Sequence, residues 1–128
     1  MNLLLDTHVF VWMHEDPNKI SSRAFAELSN PSNKLFLSIA SVWELQIKIQ
    51  AKKFKFKETL EDVIEIEQIT NGLQILSVTL AHVLELENLP PHHKDPFDRL
   101  LISQAIVENM ILVSADANFG KYQANLLY

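Results

Sequence analysis

The chain has 128 residues, enough for one domain that buries about two-thirds of its unfolded surface. It has no cysteine, which excludes disulfides and thiolate metal sites, and no apolar run is long enough to span a bilayer. The formal charge of −5 argues at face value against a nucleic-acid binder, an argument revisited once the acids are located.

The opening Asn2-Leu3-Leu4-Leu5 does not alternate polar with apolar residues, so it predicts a strand buried on both faces, as in a parallel sheet covered by helices. No basic segment precedes it and Asp6 interrupts it, so a signal peptide is not expected and the cytoplasm is the expected location. A short helix follows from Thr7 to His14, ended by the Asp16-Pro17-Asn18 turn. Ser21 or Ser22 can cap a second helix to about Ser29. Leu35-Phe36-Leu37 reads as a second buried strand, and Ile39 to Ala51 as a helix packed on the sheet. Lys52 to Lys57 alternates lysine with Phe54 and Phe56, a loop or short extended segment.

Thr59 to about Thr70 carries a broad apolar stripe and reads as a helix that Asn71-Gly72 stops. Leu73 to Leu76 gives a third strand, and Thr79 caps a helix to about Asn88. Asp95 caps the next helix with Pro96 at its first position, running to about Asn109. Met110 to Val113 is the fourth strand, Asp116 precedes a short helical turn to Tyr122, and Leu126-Leu127 suggests a weak edge strand. Strands alternating with helices predict a single α/β domain over residues 1–128. The expected architecture is a three-layer α/β/α sandwich with a central, mostly parallel sheet of four to five strands.

Asp6 and Asp116 each follow a buried strand and therefore belong to the same sheet edge, where ligands bind in open α/β folds. Taken singly, each reads as a helix cap. Asp98 stands at the third position of its helix, where a carboxylate complements the dipole. It also shares a side with Leu101, Ile102 and Ala105, and an inward acid needs a partner. Glu44 has Lys48 four residues on, a pair worth roughly 0.3–0.5 kcal/mol if exposed. The carboxyl end of the second strand should nevertheless bring its helix near Asp6. Asp95 caps its helix and can pair with Arg99, so its expected role is supporting.

Converging carboxylates are hard oxygen ligands, suited to Mg²⁺ or Mn²⁺, and such a site can activate water against a phosphodiester. With four acids committed to a metal the rest of the chain is nearly neutral, so net charge does not decide against nucleic acid. Thr7 and Ser114 are expected to orient a carboxylate or a water, or to serve as plain helix-entry hydroxyls. His92, His93, Lys94 and Arg99 read as a basic rim, and His8 as a solvated or structural histidine. Lys48, Lys52, Lys53, Lys55 and Lys57 form a second basic stretch, either a phosphate-binding surface or a solvated loop. Trp12, Trp43, Phe25 and Phe36 are assigned to core or a subunit contact.

With the four acids placed, the whole chain resembles a PIN domain, specifically a VapC-type toxin of a toxin–antitoxin pair. The landmarks are Leu3-Leu4-Leu5-Asp6-Thr7-His8, Ser38-Ile39-Ala40-Ser41-Val42-Trp43-Glu44, His93-Lys94-Asp95-Pro96-Phe97-Asp98-Arg99-Leu100-Leu101 and Leu112-Val113-Ser114-Ala115-Asp116. The resemblance implies a Mg²⁺- or Mn²⁺-dependent endoribonuclease, homodimerisation and inhibition by a cognate antitoxin, and it maps the acidic site onto Asp6, Glu44, Asp98 and Asp116. Ser114 stands where threonine is frequent. Asn118 stands where many relatives carry another acid, which bears on how tightly a second metal would bind. Competing readings are a non-catalytic interaction protein of the same fold, its acids merely capping helices, and a haloacid-dehalogenase-like phosphatase with Asp6 as nucleophile. The latter family typically has a second aspartate two residues on, where this chain has His8.

Overall fold

The computed structural model describes residues 1–128. In chain order the elements are β1 (Asn2–Leu5), α1 (Thr7–Glu15), α2 (Ser22–Leu28), β2 (Lys34–Ser38), α3 (Ile39–Gln50), α4 (Leu60–Asn71), β3 (Gln74–Leu76), α5 (Leu80–Glu85), α6 (Pro96–Glu108), β4 (Ile111–Val113) and β5 (Asn125–Leu127). Single 3-10 turns at Pro17–Lys19, Leu86–Asn88 and Ala117–Lys121 join them. The sheet has five strands in the order β3-β2-β1-β4-β5, and every neighbouring pair is parallel. The weak strand expected at Leu126-Leu127 is real and closes one edge.

Why the opening run is uniformly apolar is visible in how its residues divide. Leu3 and Leu5 join Leu35, Leu37, Val113 and Leu127 on one face, packed under Val9 and Phe10 of α1, Ala24 of α2, Leu45 of α3 and Val63 of α4. Leu4 and Leu112 face the other way, onto Leu101, Ile102 and Ala105 of α6. Successive strand residues point to opposite sides, so a strand between two helical layers needs an apolar residue at every position. Each fully buried leucine is worth about 2 kcal/mol. The three-layer sandwich is thus the arrangement the sequence predicts.

The ends of the elements follow local chemistry. Ser21, Ser38 and Thr59 cap α2, α3 and α4. Gly72, at φ +66°, ends α4 in the left-handed conformation that a side chain disfavours. Thr79 forms a reciprocal cap with His82, whose imidazole is fully buried and reaches Glu108 at 2.9 Å. On the first layer, His14 of α1 lies 2.9 Å from Glu67 and 3.2 Å from Glu58, tying α1 to α4 and the segment before it. No helix is long and apolar enough to cross a membrane.

Candidate metal centre

Because all five strands run the same way, their carboxyl ends share one edge. At that edge β1 delivers Asp6, β2 leads into α3 and Glu44, and β4 delivers Ser114 and Asp116. Asp6 occupies the cap position of α1 yet makes no capping hydrogen bond. Ser114 Oγ instead donates to Asp6 Oδ2 at 2.8 Å. Burial raises the Asp6 pKa above the usual 3.8 and Glu44 adds to the rise, against the Ser114 hydrogen bond, the His8 charge and the Thr7 backbone N–H.

Glu44 is held by the residue after Asp6. Thr7 Oγ1 donates to Glu44 Oε1 at 2.7 Å and lies 2.9 Å from Ser41 Oγ. The pair with Lys48 expected from spacing is formed, at 3.3 Å, but the Glu44 side chain is only 13 % exposed. Both hydroxyls, Thr7 and Ser114, therefore orient carboxylates, and Ser114 Oγ also accepts the Asp116 backbone N–H at 3.0 Å at the entry to the next turn.

Asp95 caps α6 through Oδ1, accepting from the backbone N–H of Phe97 at 2.8 Å and of Asp98 at 3.2 Å. Asp98 itself faces inward. Burial pushes its carboxyl up to about 6, and the charges of Asp95, Asp6 and Glu44 add to the rise, with His93 opposing. No lysine, arginine or histidine forms an ion pair with Asp6 or Asp98. A half-buried acid pressed by three like charges is an incomplete electrostatic arrangement, and a divalent cation would complete it.

Asp116 is the cap it reads as singly, and its second oxygen has a partner of its own. Its Oδ1 accepts from the Asn118 backbone N–H at 2.9 Å, capping the short turn, while Oδ2 lies 3.2 Å from His93 Nε2. Burial alone would raise its pKa, but the Asn118 and His93 contacts outweigh burial and hold it below the usual range. One ligand atom each from His93, Asp98 and Asp116 falls within 4.8 Å of the others. His93 is the residue sequence reasoning undervalued. The sequence places it in a basic rim, yet its side chain is only 8 % exposed and stands against Asp116. Its one sequence signal is its place two residues before the Asp95-Pro96 helix start.

The expected contacts of Arg99 are not what forms. Its guanidinium donates to the carbonyls of Pro90 at 3.0 Å, Leu86 at 3.2 Å and Leu89 at 3.4 Å, and no Asp95–Arg99 pair exists. The segment from Leu86 to Pro90 folds back over the start of α6 and offers carbonyls that outcompete a carboxylate already used as a cap. Lys94, Lys52, Lys53 and Lys55 are exposed. Trp43, expected in core or a subunit contact, is 62 % exposed and leans edge-on against Phe97, ring centres 5.3 Å apart. It lines an apolar groove of about 760 Å³ with Ile39, Val42, Leu60 and Ile64, between α3 and α4. Phe25 is also exposed; Trp12 and Phe36 are partly buried.

The model of the PIN domain family matches residues 3–125. The chain belongs to the PIN-domain family. Among solved structures, this PIN domain is similar over 99 % of its length to a chain of VapBC2 from Rickettsia felis, crystallised with a DNA fragment from its promoter. The likeness covers 98 % of that chain, with a TM-score of 0.75 and 22 % identity. It is also similar to a chain of VapBC-1 from nontypeable Haemophilus influenzae, with a TM-score of 0.68 and 17 % identity, covering 99 % of this chain and 97 % of that one. No curated protein matches the sequence. The donors at this edge suit a hard divalent cation, because they are mostly carboxylate oxygens, with the His93 imidazole beside them and no thiolate.

Proposed function

We propose that this PIN domain is a Mg²⁺- or Mn²⁺-dependent endoribonuclease, the toxin of a toxin–antitoxin pair. The observation that carries the reading is Asp98, held up at about 6 by burial and by Asp95, Asp6 and Glu44, since only added positive charge makes that cluster favourable as carboxylates. Asp6, Glu44 and Asp98 would hold the ion, with Asp116 contributing directly or through water. A bound ion supplies positive charge at the scissile phosphate and lowers the pKa of an attacking water. Thr7 and Ser114 fix the carboxylates that face it. Asn118 supports through its backbone N–H, and Asp95 through the cap that sets the start of α6. Lys48, Lys52 and Lys94 would meet phosphates beyond the acids, whereas Arg99 braces the loop before α6. The expected products carry a 5′-phosphate and a 3′-hydroxyl.

The VapBC names of the structural neighbours support an antitoxin as partner. In one copy of the chain, the groove beside Trp43 and the exposed Leu80, Val83 and Leu84 of α5 are left uncovered. A partner chain and a second copy of this one would cover such surfaces. Incubating the protein with structured RNAs, with and without Mg²⁺, and mapping the ends tests the activity. Asp6→Asn should abolish cleavage while melting within a few degrees of the parent; equal cleavage by the variant would overturn the assignment. An interaction protein without catalysis would show no cleavage and no Mn²⁺-dependent rise in melting temperature.

A further inference from the structure

His93 is gripped from three directions, although it belongs to the loop before α6 and is not a surface residue in any working sense. Its ring stacks on Phe119, centres 4.8 Å apart and planes at 24°, and lies near-parallel to Tyr122 at 5.5 Å and 29°. Nδ1 is 3.0 Å from the Tyr122 hydroxyl, and Nε2 is 3.2 Å from Asp116 Oδ2. A tyrosine hydroxyl at neutral pH can donate to Nδ1, which leaves the imidazole proton on Nε2 to be donated to the carboxylate. Phe119 and Tyr122 bracket the turn that Asp116 caps, so one short segment holds the acid, the ring it touches and the hydroxyl that orients that ring.

We propose that His93 is a positioning residue for the metal centre: with its tautomer set by Tyr122, it donates from Nε2 to Asp116 Oδ2 and keeps that carboxylate turned toward Asp98. Without this contact, Asp116, whose side chain is 39 % exposed, would be held by Asn118 alone and free to turn toward solvent. The arrangement is the carboxylate counterpart of outer groups that orient metal ligands, whose removal costs about 10–100-fold in metal affinity or activity. The inference rests on the metal-centre reading above.

The test is Mn²⁺ affinity of the full chain, read as free Mn²⁺ by electron paramagnetic resonance, with melting temperature followed in parallel. His93→Phe keeps the stacking but has no N–H, and should bind Mn²⁺ about 10–100-fold more weakly. His93→Gln, which places an amide N–H near the Nε2 position, should recover much of that loss. Tyr122→Phe should weaken binding in the same direction by less, and decides the matter alone if His93→Phe fails to fold. Parent-like affinity in both His93→Phe and Tyr122→Phe would overturn the role of His93 and leave the metal centre standing. A nitrogen coupling on the bound Mn²⁺ in the parent would make His93 a ligand and equally overturn the positioning role. A parent that binds no Mn²⁺ would overturn the metal centre, and this proposal with it.

Discussion

Asp98 makes the folded protein responsive to pH in a direction that can be worked out. Its carboxyl sits at about 6 in the fold against an ordinary 3.8, so folding takes up a proton, and the metal-free protein gains stability as pH falls through 6 and loses it again as pH rises. Asp6, also raised by burial, acts in the same sense. In His14 burial would lower the pKa, but hydrogen bonds to Glu67 and Glu58 outweigh it and raise it above 6.5, so its contribution is likewise present at low pH and lost as pH rises. Glu58 and Asp116 are lowered, so their stabilisation is present above the ordinary carboxylate values and is lost as pH falls from there through the lowered ones. Metal-free protein should therefore melt higher at pH 5.5 than at pH 7.5 in differential scanning fluorimetry. Asp98→Asn should remove much of that difference and raise the melting temperature at pH 7.5 by roughly 4 °C, from about 1 kcal/mol after discounting for solvent screening. A lower melting temperature would show that the Asp98 carboxylate is structural. At this scale the sequence was half legible. Asp6 and Asp116 announced themselves by following buried strands, but whether each was a cap depended on Ser114 and His93, partners that only the folded chain brings close. Arg99 departs from its expected pairing because helical spacing names the neighbour on its own helix and is blind to a loop folding over it.

Among the elements, the end of α3 is the one that breaks a local rule. Lys52 has φ 59°, and the Lys53 N–H reaches back to the Lys48 carbonyl at 2.9 Å, a helix end where glycine is usual. The phosphate contact proposed above would give this lysine, kept in a left-handed conformation at a local cost, a use for its charge. Lys52→Gly should stabilise the protein by about 0.5–1 kcal/mol in urea melts. It should also weaken binding of single-stranded RNA and flatten its salt dependence by about 0.7 in slope. Stabilisation with unchanged RNA affinity would remove Lys52 from the binding surface. The existence and order of the elements were readable because helix period, strand apolarity and caps such as Thr59 and Asp95 agree. The left-handed lysine was not readable, since no turn residue marks it. Nor was the partner of Thr79, because histidine is not the residue that a reciprocal cap leads one to expect.

For the whole molecule, the exposed face of α5 is the feature that a monomer leaves unexplained. Leu80 is 73 % and Leu84 58 % exposed, and the homodimer proposed above would cover them. Leu84→Glu should shift sedimentation toward the monomer at unchanged fold; an unaltered sedimentation coefficient would place the dimer contact elsewhere. Sheet order lay beyond the sequence because uniformly apolar strands carry no record of their neighbours, and the observed order puts β1 between β2 and β4. That placement has a consequence for the order in which the acidic edge is assembled. Asp6 draws its backbone bond from Val113, at 2.9 Å, and its side-chain partner from Ser114. A nascent chain halted at Asn109 already carries Asp6, Glu44 and Asp98, yet has nothing to lay beside one side of its first strand. The acidic edge thus takes its final form only when β4 pairs with β1, well after its first three carboxylates have been made.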